Sequence, residues 1–177
     1  MSSKIPLDPG HLQQKEEYER LPNNHQYSSV VRGLLYVAVN TRPDIAVSVS
    51  ILGRSVSCPL QADWTEAKRI LRYLKFTNDH ELVLASGGAV MEVYVDADWA
   101  SDVKTRNSGF LVMFGGGPIH WESRKQTCVA LSSPEAEFVA LAECCKKLQW
   151  IDRLLQDFSV VMTKPIQVHE DNQSCIK

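Results

Sequence analysis

Apolar residues recur at helical spacing through the first half of the chain and alternate with polar ones through much of the second. In the first half, YSSVVRGLLYVAVN is apolar at the helical period. TRPDIAVSVSILGRSVS then opens on a stop-and-start signal: Thr41 or Arg42 ends one helix, and Pro43 suits the first turn of the next. DWTEAKRILRYLKF starts at Asp63 or Trp64-Thr65 and sets Ala67, Ile70, Leu71 and Leu74 on one side. Three helices are therefore predicted in residues 27–86. Residues 1–26 are polar and hold Pro6, Pro9, Pro22 and Asn23-Asn24, which predicts an irregular lead-in with a short helix near 13–20.

The period shifts around residues 81–84, and Gly87-Gly88 marks a turn and a domain boundary. In MEVYVDADWA, Met91, Val93 and Val95 share one face while Glu92, Tyr94, Asp96 and Asp98 share the other. SGFLVMF and GPIHWES read as one long strand or a strand pair about Gly115-Gly116-Gly117, and TCVALS as a further short strand. Ser132 and Glu135 then form a capping-box pattern with Pro134 in the first turn. That opens a long helix through AEFVALAECCKKLQWIDRLLQDF. After Thr163-Lys164-Pro165, IQVH is a strand and DNQSCIK starts another helix. Meander strands followed by a helical crossover predict a mixed α/β sheet, since the crossover strand can pair in parallel.

Composition narrows the function. The 177 residues are 44% hydrophobic and 23% charged, which suits a packed core and excludes disorder as the main state. A net charge of −2 excludes a protein coated in basic residues, so any nucleic-acid surface must come from local Lys and Arg clusters. Five cysteines, an odd number without CxxC or Cys/His spacing, give neither a disulfide framework nor a zinc site. Cys144 and Cys145 are expected as a small core residue or surface residues of the long helix. The start, MSSKIPLDPG, has no apolar h-region and no run approaches membrane-spanning length, so an intracellular compartment and no membrane partner are expected.

Three acids carry the candidate chemistry. Asp96 lies in the alternating strand, Glu137 in the first turn of the long helix and Asp171 where the last strand ends. Glu137 tops an apolar stripe of Leu141, Cys144 and Leu148, although a solvated glutamate belongs on the polar face beside Lys146 and Lys147. Each acid has a bland reading: an exposed strand residue, a dipole-favoured first-turn residue and an N-cap. Three acids at the same end of consecutive elements point instead to a divalent-cation site working on a phosphodiester. On the third helix Lys68, Arg72 and Lys75 form a basic stripe, which suits either a nucleic-acid backbone or a solvated face.

YVDADWASD, TRNSGFLVMFGGGPIHWESRKQ, ALSSPEAEFVAL and HEDNQS together resemble the ribonuclease H domain of copia-type retrotransposon polyproteins. Upstream, YSSVVRGLLYVAVNTRPDIAVSVSILGR and QADWTEAKRILRYLK resemble the stretch that joins the reverse transcriptase to that domain. The resemblance implies a helical connection segment at 27–86 and a ribonuclease H-like domain at 87–177. In that domain three antiparallel strands, a helix crossover and a fourth, parallel strand are expected. It implies cleavage of the RNA strand in RNA/DNA hybrids, with Asp96, Glu137 and Asp171 as catalytic metal ligands. Two Mg²⁺ ions about 4 Å apart, with Mn²⁺ as a substitute, are the implied cofactor. Glu135, about 200° around the helix from Glu137, is left as a cap. Arg106 and Ser108 match a family signature that could contact phosphate, while Asn172, Gln173 and Ser174 carry donors suited to a 2′-hydroxyl. The implied partners are the hybrid and the rest of the polyprotein, including reverse transcriptase, in the cytoplasm or a virus-like particle.

Several positions depart from that pattern. The family's fifth strand and last helix, with a fourth acid and a nearby histidine, have no counterpart before Lys177. Neither has the polymerase's paired-aspartate motif. Arg32 and Phe76 stand where the family has Gly, and a turn requiring positive φ would have to be remodelled at Phe76. Two expectations follow: a ribonuclease H fragment of weak or absent rate, or an inactive remnant serving as a nucleic-acid-binding or structural scaffold.

Overall fold

In a computed structural model, residues 4–11, 19–84, 88–98, 107–126, 128 and 130–176 are described, the side chain of residue 98 excepted. The chain divides into two compact units, Met1–Glu81 and Leu82–Lys177.

In the first unit, the predicted helical periods become α1 (His25–Asn40), α2 (Ala46–Gly53), preceded by a 3-10 turn at Pro43–Ile45, and α3 (Gln61–Phe76). Tyr27, Val31, Leu34 and Ala38 form the buried stripe of α1 and pack with Ile45, Val49, Leu52, Ala67 and Ile70. The Tyr27 hydroxyl is buried with its ring and donates to the Leu52 carbonyl at 2.7 Å. Helix α3 begins at Gln61, earlier than its polar signal suggested. Asp63 is its third residue, and its Oδ2 accepts from the Leu60 amide at 2.9 Å, as a third-position acid does in a capping box. Its other oxygen lies 3.0 Å from His11 Nε2, so the fully buried carboxylate is satisfied on both sides.

The TRPD run has a specific task. Arg42 donates to both Asp44 oxygens, at 2.9 and 2.7 Å, and also to the Thr77 carbonyl and hydroxyl at 3.0 and 2.6 Å. One guanidinium thus joins the turn before α2 to the end of α3. Phe76 ends α3 as an exposed residue, and the chain leaves through Thr77 at φ −115. No positive φ is needed there, so the substitution of glycine carries no strain. The helix expected near 13–20 falls largely outside the described residues.

The second unit is built on a four-stranded sheet. Its strands are β1 (Met91–Asp98), β2 (Asn107–Phe114), β3 (Gly117–Lys125) and β4 (Gln167–His169), in the order β3-β2-β1-β4. β1–β2 and β2–β3 are antiparallel; β1–β4 is parallel. This is the ribonuclease H-like mixed sheet. Helix α4 (Ser133–Asp157) supplies the crossover, and α5 (Gln173–Ile176) follows β4. Met91, Val93, Val95 and Ala97 face α4 with Phe110 and Val112, against Ala136, Ala140, Cys144, Leu148 and Ile151. The alternation therefore reports the covered face correctly.

The glycine-rich turn resolves into a tight hairpin, with Gly115 at φ 60 and Gly116 at φ 84, so SGFLVMF and GPIHWES are separate strands. TCVALS is not a strand at any of its described residues. β3 is an edge strand paired on one side with β2, and none of the described residues of this segment joins its open side; the segment makes the crossing from β3 to α4 instead. The buried Gln126 fastens that crossing, donating to Ser108 Oγ and to the Ala136 carbonyl, each at 2.8 Å. All five cysteines are free; Cys144 is buried and Cys145 exposed on α4. No helix among the described residues is long and apolar enough to cross a membrane.

Candidate metal centre

Three different kinds of local structure deliver the three acids. Asp96 follows Tyr94 on the uncovered face of β1. Asp171 lies two residues beyond β4, and Glu137 rises from the first turns of α4. The start of α4 is held by two hydrogen bonds. Ser132 Oγ accepts from the Glu135 amide at 3.4 Å, and Glu135 Oε2 accepts from the Leu131 amide at 2.6 Å. Glu135 thus keeps a capping role, though it reaches one residue further back than a capping box does.

One carboxylate oxygen from each of Asp96, Glu137 and Asp171 lies within 4.8 Å of the other two. The convergence depends on where strand pairing stops. β1 and β4 pair only from Glu92↔Gln167 to Tyr94↔His169; beyond that rung β1 continues paired with β2 alone, and Asp96 and Asp171 follow where β1 and β4 part. Asp96 and Asp171 are exposed at this opening, whereas Glu137 is 4% exposed. The backbone N–H of Ala97 donates to the Glu137 carboxylate, while among the described residues Glu137 Oε2 is buried without a hydrogen-bond partner. Burial, reinforced by the negative charges of Glu170, Asp96 and Asp171, pushes the Glu137 carboxyl up to about 7.

A buried, unsatisfied carboxylate oxygen facing further carboxylates is costly unless a proton or a cation joins it. An all-oxygen donor set with open sides matches the preference of Mg²⁺, which keeps several waters and binds through few carboxylates. The residues present fit such an ion.

The other candidates fall in different places. Ser108 is buried, with its hydroxyl bonded to Gln126. Asn172 Oδ1 caps α5 by accepting from the amides of Ser174 and Cys175 at 3.0 and 3.3 Å, and its Nδ2 donates to Ser133 Oγ. The N-cap is therefore Asn172 rather than Asp171. Gln173 and Ser174 are exposed, and Arg106 lies outside the described residues. Lys68, Arg72 and Lys75 are exposed along α3, with the Lys68 ammonium 5.4 Å from the Trp64 ring centroid. Sequence reasoning passed over Glu170, whose Oε1 accepts from the Asn172 amide at 3.0 Å and whose Oε2 is buried without a partner among the described residues. Its position beside Asp171 in HED was the available signal.

The chain is 39% identical over 170 residues to a retrovirus-related Pol polyprotein from transposon TNT 1-94 of Nicotiana tabacum, covering 95% of this chain and 12% of that protein. It is 37% identical over 156 residues to the Pol polyprotein of transposon RE2 from Arabidopsis thaliana, covering 86% of this chain and 11% of that one. The chain belongs to the copia-type retrotransposon Pol family. It spans about one eighth or less of the length of these Pol relatives. A Plasmopara viticola protein named secreted RxLR effector protein 161 is 42% identical over 131 residues, 72% of this chain and 92% of that protein. No protein-family model and no solved structure matches the chain.

Proposed function

We propose that this Pol fragment is a ribonuclease H, holding divalent cations on Asp96, Glu137 and Asp171 and hydrolysing the RNA strand of RNA/DNA hybrids. The observation that carries the proposal is Glu137: among the described residues its Oε2 is buried without a partner, and one of its carboxylate oxygens lies within 4.8 Å of oxygens from Asp96 and Asp171. Glu137 is the fifth residue of α4, just past the first turn, where a merely structural glutamate would be solvated or hydrogen-bonded.

Each residue has a distinct task. The Ala97 amide holds the Glu137 carboxylate, whose Oε2 has no hydrogen-bond partner among the described residues. Asp96 and Asp171 bring two exposed carboxylates to the mouth of the site, which suits a polymeric substrate arriving from solvent. When bound, Mg²⁺ supplies Lewis acidity for in-line displacement at phosphorus. Gln173 and Ser174 are the exposed donors beside Asp171 that would meet a 2′-hydroxyl. In the first unit Lys68, Arg72 and Lys75 are the proposed backbone contacts. The rest of the polyprotein, including reverse transcriptase, is the proposed partner.

A non-catalytic scaffold is the competing reading. Incubation with a labelled RNA/DNA hybrid and Mg²⁺, beside an Asp96→Asn control, separates the two. Metal-dependent cutting of the RNA strand that disappears in the control supports the nuclease. Binding of the hybrid without cutting, in both proteins and with either Mg²⁺ or Mn²⁺, supports the scaffold.

A further inference from the structure

Tyr94 and His169 face each other across the last paired rung of β1 and β4. Their rings stack with centroids 4.6 Å apart and planes 12° from parallel. Asp96 is two residues beyond Tyr94, and Asp171 two residues beyond His169. Past this rung β1 and β4 share no further ladder hydrogen bonds, although the acids they carry must stay within 4.8 Å of each other and of Glu137. Like charges at that distance repel, so a force against splaying is needed at the point where the ladder ends. A parallel pair only three rungs long offers little backbone stiffness of its own.

We infer that the Tyr94–His169 stack is a positioning clamp that sets the separation of Asp96 and Asp171, and with it the affinity of the site for divalent cations. This rests on reading the three acids as a cation site. Stacked rings suit the task because their contact resists both separation and shear of the two strands. At 44% exposure, Tyr94 contributes through this contact rather than as a buried core residue. Neither ring is a cation ligand; both act through the aspartates that follow them.

Mn²⁺ affinity, measured by titration of the whole 177-residue chain, provides the test. Tyr94→Phe and His169→Phe keep a stack, whereas Tyr94→Leu and His169→Leu remove it. Gln167→Ala, on the first rung, controls for general weakening of the strand pair. The expected result is wild-type affinity in both Phe variants and in Gln167→Ala, with a loss of about tenfold or more in each Leu variant. The double Leu variant should be no weaker than the weaker single one, since either substitution dissolves the contact. Leu variants that bind Mn²⁺ as tightly as wild type would overturn the inference, as would Phe variants as weak as the Leu ones. Should a Leu variant not fold, the two Phe variants and Gln167→Ala still decide between clamp and general stability. Asp96→Asn separates the two levels: unchanged Mn²⁺ binding there removes the cation site itself, while a loss there beside unaffected Leu variants removes only the clamp.

Discussion

The Ala97 backbone N–H on β1 donates to the Glu137 carboxylate on α4, joining sheet and helix at the buried member of the acid triad. The contact holds a charge where burial and three neighbouring acids oppose it. Glu137→Gln removes that charge with little change of shape. Metal-free protein should therefore gain about 1 kcal/mol or more at pH 8, because an uncompensated buried carboxylate is gone. The same variant should lose the rise in melting temperature that Mn²⁺ gives the wild type. Paired melts with and without Mn²⁺ check both directions, and a structural role alone predicts destabilisation without metal.

Stability should depend on pH in a definite sense. The folded-state Glu137 carboxyl is pushed from 4.5 up to about 7, so between those values the folded protein binds more protons than the unfolded chain. Metal-free stability therefore falls as pH rises through this window and levels off above it. The whole effect is at most about 3 kcal/mol. Saturating Mg²⁺ should flatten the slope, and Glu137→Gln should abolish it. Urea titrations from pH 4.5 to 8 measure this directly.

Two glycines of the sheet should respond differently to a methyl group. A Cβ on Gly117 would meet the Val83 carbonyl oxygen at 2.5 Å and Leu84 Cα at 3.0 Å. Backbone cannot swing aside as a side chain can, so Gly117→Ala should cost about 1–3 kcal/mol. At Gly109 the nearest atom would be the Glu122 carbonyl oxygen at 3.6 Å, an ordinary contact, and Gly109→Ala should remain within about 0.5 kcal/mol of wild type. Thermal melts of the two variants give the comparison.

Arg42→Lys tests the joint between the turn before α2 and the end of α3. A single ammonium cannot reproduce a fork that engages both Asp44 oxygens and both acceptors of Thr77. The loss should be about 1–3 kcal/mol, read as a lower midpoint in urea at unchanged slope.

Much of this was legible in residue order alone. Period and turn chemistry marked α1 to α4, the first strand and the last, because each reports a local face and a local boundary. Glu137 at the head of an apolar stripe was visible for the same reason, and it is buried as that placement implied. Local pattern failed where partners decide. TCVALS has strand-like residues, yet none of its described residues joins the sheet, although β3 leaves one side open. Ser108 looks like a surface hydroxyl until Gln126 is seen to cover it, and Asn172 looks available until it caps α5. The order β3-β2-β1-β4, the three-rung limit of the β1–β4 ladder and the stack of Tyr94 on His169 came only from tertiary structure. Asp96 and Asp171 stand far apart along the chain, and no period of 2 or 3.6 encodes which strand lies beside which. Sequence alone placed each acid on its element and face; long-range hydrogen bonding between strands brought the three within reach of one another.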